Sequence, residues 1–265
     1  MSALNNLRVG TKITAASAGI LIFLAAIGAV GVLALSNAKD DFATYRTLAR
    51  QTNEVGRIQA TMLETQLHAK TFLLTGNEDS AREVDSLASS IAGQIEQAKS
   101  LFTDPALFRT VERMGAELRE YQETFAKILE LQAARNESVN ALNELGPKME
   151  KALNSIMDSA YNDGDTEGAY LAGMAGRYFL AARVQSTRFL TEGTAESADN
   201  TRKELQNARE RGNGMLAKLT DMDRRRGAMS FLALQRVYST EFEKAVVATN
   251  KRDELVSRTL ETLGP

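Results

Sequence analysis

From Ile13 to Leu35 the chain carries no charged residue. That run is long enough to cross a hydrocarbon core, which needs roughly 20 apolar residues. A backbone in lipid must satisfy its own hydrogen bonds, so a single segment of this kind is a helix. A cleaved signal peptide shares the pattern of a basic start and an apolar run, but its apolar core is only about 7–15 residues, so an uncleaved anchor is expected. Arg8 and Lys12 precede the run and Asp40 and Asp41 follow it. The positive-inside bias therefore places residues 1–12 in the cytoplasm, the span at 13–35, and residues 36–265 in the periplasm or outside the cell. No second run of comparable apolarity follows, so the localisation expected is the inner (cytoplasmic) membrane with one span.

The exported part reads as all-α. Hydrophobic residues make up 43% of the chain, aromatics only 6%, and Trp is absent, while the β-branched alternation of strands does not recur. The 32 basic and 34 acidic residues are well mixed and leave a net charge of −2, so no basic stripe exists to neutralise DNA or RNA. Zero cysteines remove disulfides, thiolate metal sites and thiol nucleophiles together. No phosphate-cradling loop, Gly-Xaa-Ser-Xaa-Gly elbow or metal-spaced histidines occur, and neither catalysis nor a cofactor or metal is expected.

Between Leu107 and Ala160 apolar residues recur at alternating steps of four and three: Leu107, Val111, Met114, Leu118, Tyr121, Phe125, Ile128, then Val139, Leu142, Met149, Leu153 and Ile156. This is a bundle seam, and at about 1.5 Å per residue its helix would be on the order of 80 Å long, which predicts an elongated rod. An internal duplication sets the architecture. FLLTG at 72–76 resembles FLTEG at 189–193, and Tyr121, Phe125, Lys127, Arg135, Glu137 and Val139 recur 117 positions on as Tyr238, Phe242, Lys244, Arg252, Glu254 and Val256. NELGP at 143–147 matches ETLGP at 261–265 after a one-residue slip. Turn residues divide the exported part into helices at roughly 36–75, 79–102, 104–162, 165–192, 196–220 and 222 onward. These lengths predict a six-helix rod of two stacked four-helix bundles, one membrane-proximal (about 36–130 plus 250–265) and one distal (about 131–249). Pro147 lies inside a seam that resumes at Met149, which predicts a kink and not a stop, and by the repeat the last helix is expected to continue past Pro265.

The opening NNLRVGTKI at 5–13, the Gly-rich apolar span and LARQTNEVGRIQATML at 48–63 closely resemble the N-terminal portion of bacterial methyl-accepting chemotaxis proteins with a helical bimodular sensor domain. The resemblance covers essentially the whole chain. It implies a homodimeric receptor whose two bundles sense small organic acids and signal to a cytoplasmic kinase and adaptor through a C-terminal region that this sequence does not contain. Related sensor modules occur on transmembrane histidine kinases, so the output module is an inference from resemblance.

Candidate ligand residues fall into two groups. On the first exported helix Arg57, Thr61, Thr65 and His68 share one face, with small Ala69 beside Phe72. Arg252 joins them in the membrane-proximal bundle: by the resemblance it stands where dicarboxylate-binding relatives carry a last-helix arginine. The first helix departs from that pattern, holding His68 and Thr65 one and two turns before FLLTG where those relatives have arginines. In the distal bundle Tyr178 and Arg183 lie on the fourth helix, and Arg135 and Tyr238 approach from the long helices. Arg135 and Gln132 interrupt the seam in phase with Ile128 and Val139, and Arg252 and Thr249 are their repeat equivalents. An inward guanidinium must be paired, and its planar fork suits a carboxylate.

Each residue also has a plain structural reading. Arg135 and Arg252 can pair with neighbouring acidic residues and fix helix register, Arg57 and Arg183 can be solvated rim residues, and the two tyrosines can be core fillers. On that reading the chain is a structural envelope bundle with no ligand. Arg224, Arg225 and Arg226 read as a solvated helix start, since three consecutive residues point three ways. Asp163, Asp165 and Glu167 faintly resemble a calcium loop but lack the required twelfth-position Glu, where Met174 stands.

Overall fold

A computed structural model describes residues 9–102, 104–260 and 262. Among them the protein is all-α, with helices α1 (Val9–Thr75), α2 (Glu78–Leu101), α3 (Pro105–Asn162), α4 (Thr166–Glu192), α5 (Ala195–Lys218) and α6 (Met222–Leu255) and no strand. A π-helical turn, Val256–Leu260, follows α6. The expected helix limits agree with these to within two residues except at the start of the first helix, expected near 36 and found to lie within α1. Arg8 and the closing Leu263-Gly264-Pro265 lie outside the described residues.

The apolar run does not form a separate helix. It is the first part of α1, which continues unbroken to Thr75. Its most apolar stretch has a mean hydropathy of 2.7 and none of it is buried against the protein, so α1 is one helix long and apolar enough to cross a membrane. Elsewhere helix ends follow local chemistry. Asp104 Oδ1 accepts from the Ala106 amide at 2.6 Å, and Pro105, which lacks an amide proton, opens α3 at no hydrogen-bonding cost. Pro147 lies inside α3 and does not end it.

The chain packs as two compact units, residues 1–64 with 89–115 and residues 65–88 with 116–265. The first unit buries Ile58 of α1, Ile91, Ile95 and Ala98 of α2, and Val111 of α3. Its helices are also tied by polar contacts: Gln51 Nε2 donates to the Leu101 carbonyl at 2.8 Å and Gln94 Nε2 donates to Thr61 Oγ1 at 3.2 Å. The second unit is built around Leu142, Met149, Leu153 and Ile156 of α3, Phe179 and Phe189 of α4, Leu205 and Met215 of α5, and Phe231, Tyr238 and Phe242 of α6. The α3 seam is thus read correctly along most of its length. Leu107 at its start is exposed and Val139 is half-buried.

Within the second unit the duplication is visible in three dimensions. Phe72 and Phe125 meet edge to face with centroids 5.8 Å apart and planes at 71°, and their repeat equivalents Phe189 and Phe242 do so at 5.5 Å and 72°. Each such pair adds about 0.5–1.5 kcal/mol beyond area burial. The turns following them also coincide. Gly76 and Gly193 both take φ of +68°, and each donates its amide to the carbonyl of the preceding phenylalanine, Phe72 or Phe189, at 2.7 Å. Only glycine adopts that backbone conformation without strain, so both helices stop at the same place in the repeat.

One difference between the copies has an energetic consequence. Tyr238 and Tyr121 are both buried, but Tyr238 Oη hydrogen-bonds Ser186 Oγ at 3.0 Å, whereas Tyr121 Oη has no partner. The residue 117 positions before Ser186 is the buried Ala69, which offers neither donor nor acceptor. Burial pushes the Tyr121 phenol up to about 12, and it raises Tyr238 as well, with the Ser186 hydrogen bond opposing. We expect Tyr121→Phe to leave stability unchanged or raise it by up to about 1 kcal/mol and Tyr238→Phe to lower it by about 1 kcal/mol in urea titrations. Because the folded-state pKa lies above that of the unfolded chain, stability should be full below pH 10 and fall as pH rises toward 12, with a smaller fall in Tyr121→Phe.

Candidate ligand-binding site

The structure gathers Arg135 and Arg252 into one place, where α3, α6 and the end of α4 meet in the second unit. Arg135 Nη2 donates to the Leu190 carbonyl in the last turn of α4 at 2.6 Å. Arg252 Nη1 donates to Gln132 Oε1 at 2.9 Å, and its Nε and Nη2 both donate to Asp253 Oδ1, at 2.9 and 2.7 Å. Gly193 closes the same corner: a Cβ added there would lie 3.9 Å from Asp253 Oδ2 and from Thr249 Cγ2.

The charges here do not balance. Two guanidiniums face one carboxylate, one neutral amide and one backbone carbonyl. Burial lowers the Arg135 pKa from its ordinary value, the nearby Arg252 charge lowers it further, and Asp253 opposes both. Two polar atoms in the cluster are buried without a hydrogen-bond partner, Arg135 Nε and Thr249 Oγ1. A buried donor left unpaired costs about 1–3 kcal/mol. The arrangement therefore lacks negative charge and acceptor atoms, and a carboxylate supplies both.

A second cluster in the same unit is self-sufficient. Arg183 is bonded to Glu150, and Tyr238 and Ser186 hydrogen-bond each other beside that pair. Gly146 makes room for it, since a Cβ there would lie 2.8 Å from Arg183 Nε. Tyr178 is half-buried with two cations near its ring, the centroid 5.7 Å from the Arg177 guanidinium and 5.8 Å from that of Arg211. Arg135, expected beside Arg183 and Tyr238, instead bonds the Leu190 carbonyl and feels the charges of Arg252 and Asp253.

The α1 residues occupy varied settings. Arg57 is exposed and pairs with Glu54 at 3.1 Å, and Thr61 accepts from Gln94 and donates to the Arg57 carbonyl at 3.0 Å, all within the first unit. Thr65 is fully buried and His68 half-buried near the end of α1, in the second unit. Sequence reasoning did not single out Asp253, Glu150 or Gly146. The repeat gave a signal for the first, because Asp253 replaces Asn136 of the earlier copy and so brings a charge to only one of them.

The arginine run corrects its sequence reading at two of three positions. Arg226 is exposed, but Arg224 is buried, its Nη1 bonded to Asp163 Oδ2 at 2.7 Å and Ser159 Oγ at 3.3 Å, with Nη2 3.7 Å from Asp165 Oδ2. Arg225 Nη1 donates to the Leu216 and Leu219 carbonyls at 2.9 Å, satisfying the end of α5. The aspartates that weakly resembled a calcium loop are thus counterions that tie the α3–α4 turn to the start of α6. Asp221 caps that helix, and the Arg224 amide bonded to it is the chief cause that holds its carboxyl below the ordinary value.

A membrane-anchorable α1 leading into a bundle of long helices defines a class of transmembrane sensor. Residues 6–169 match the family of the four helix bundle sensory module for signal transduction. The match spans more than half of the chain, which belongs to this family, the sensory module of methyl-accepting chemotaxis proteins. A search of curated proteins returns no match. We expect Arg224→Ala, which leaves Asp163 and Asp165 unpaired around a cavity, to lower stability by about 2 kcal/mol in thermal or urea melts.

Proposed function

We propose that this chain is the extracytoplasmic sensing region of a chemoreceptor of the bimodular type, and that it binds a small organic acid between Arg135 and Arg252. The observation that carries the reading is a layer of two guanidiniums in which only Arg252 is paired with a carboxylate, Arg135 is held by a backbone carbonyl, and Arg135 Nε and Thr249 Oγ1 are left without partners. A ligand carboxylate adds the missing charge and acceptors and can displace Asp253 from Arg252. The duplicated aromatic layers support the bimodular assignment, while the self-paired Arg183 and Glu150 make the second cluster a weaker candidate. Of the α1 candidates, Thr65 and His68 belong to the same unit as the two arginines, and Arg57 and Thr61 belong to the other.

Thermal melts of the full chain in nanodiscs test the proposal against a panel of organic acids, amino acids and amines. A ligand that binds only the folded form must stabilise it. We expect a saturable rise in melting temperature with at least one acid and none with amines, and a loss of about tenfold or more in apparent affinity for Arg135→Ala and for Arg252→Ala. The existing bonds of Arg135 to Leu190 and of Arg252 to Asp253 favour a competing reading as a register device in a structural bundle. On that reading no acid shifts the melt.

The proposed active form is a homodimer. Tyr45 and Leu63, both more than half exposed, stand five turns apart on one side of α1, with Phe42 close by in phase. Two copies held by the same anchor lie parallel and at equal depth, so these residues meet their own counterparts. Tyr45→Cys should form an interchain disulfide readily in membranes and Arg50→Cys, on a different face of the helix, should not. Equal rates at the two positions would contradict this interface.

A further inference from the structure

The second unit carries an open groove of about 1140 Å³ between α5 and α6, reaching α3 at one end. Its floor is apolar where Leu205, Leu232 and Ala248 line it. Gln235, buried in that floor, has its amide occupied by the Leu205 carbonyl at 3.0 Å, so it presents no unsatisfied donor there. The rim is unequal in charge: five cations line the groove against two carboxylates, Glu210 and Glu243. Glu243 is already taken by Arg202, through bonds of 2.8 and 2.9 Å. Lys244 in turn is held by Glu241. Arg209, Arg236 and Lys251 are exposed and have no ion-pair partner among the described residues.

Shape and charge together select the occupant. Small-molecule clefts enclose roughly 300–1000 Å³ and bury most of their ligand, whereas this groove is larger and open along its length. From Leu232 to Lys251 it follows α6 for about 28 Å, the length of a five-turn helix. A groove of that length, with apolar residues at Leu232, Leu205, Val247 and Ala248 spaced by polar ones and with three unpaired cations among its lining, fits an amphipathic helix whose apolar residues lie in the groove and whose edges carry carboxylates. We propose that this groove docks an acidic amphipathic helix of a separate extracytoplasmic protein, giving the sensor a second input. The proposal is independent of the two-arginine site and stands or falls without it.

The test uses the full chain in nanodiscs and a fluorescent synthetic helix with leucines on one face and glutamates on both flanks. Saturable binding that weakens with salt is expected, together with a loss of about tenfold or more in affinity in the triple variant Arg209→Glu, Arg236→Glu, Lys251→Glu. A control peptide with lysines replacing the glutamates should not bind. Val247→Cys carrying an environment-sensitive dye reports occupancy in the otherwise native groove, should the triple variant lose helicity or melt early. Absence of peptide binding overturns the proposal, as does equal binding of the acidic and basic peptides or an unchanged affinity in a well-folded triple variant. A change in the oligomeric state of the chain alone on charge reversal also overturns it, because the groove would then belong to a second copy.

Discussion

A backbone in hydrocarbon has no water to bond, so the uncharged run near the N-terminus must be helical, and nothing after it interrupts that helix until Gly76 takes a positive φ. The same helix therefore supplies the segment suited to a membrane and side chains to the core of each packed unit. The residues that α1 turns inward, such as Ile58, Thr65, Ala69 and Phe72, decide what the other helices pack against. Those it turns outward, such as Tyr45 and Leu63, remain for a neighbour.

The duplication shows which features of a helical layer are constrained and which are free to diverge. The Phe72–Phe125 and Phe189–Phe242 contacts and the glycine stops after them keep nearly the same geometry, because an edge-to-face pair and a left-handed cap tolerate few substitutes. Polar positions diverge. Ser186 satisfies Tyr238 where Ala69 leaves Tyr121 without a bond, and Asp253 adds a carboxylate where the earlier copy has Asn136. Such small exchanges are the means by which two copies of one fold acquire different recognition chemistry.

Much of this fold was legible in the sequence, for physical reasons. Helix periodicity repeats over many turns, so single exceptions such as exposed Leu107 do not obscure it, and a cap such as Asp104-Pro105 announces itself locally. The inward phase of Arg135 was also readable, as was its repeat relation to Arg252. That each feels the other's charge was not, because it depends on how helices pair in space and on where α4 ends. The same holds for Arg224: consecutive arginines look alike until the α3–α4 turn delivers Asp163 and Asp165 to only one of them.

Two arginines with a single nearby carboxylate, which bonds only Arg252, form the centre of this account, with the burial of Arg135 Nε making the shortage of acceptors local and specific. Nitrogen-15 spectroscopy of arginine side chains, during titration of the full chain with succinate, tests it most directly. The account predicts that the Arg135 Nε–H resonance moves downfield and becomes protected from exchange as the dicarboxylate saturates the site, with the Arg252 Nε–H changing in step as Asp253 is displaced. Both resonances remaining in place across a series of organic acids that saturate binding elsewhere, or that do not bind at all, would contradict it.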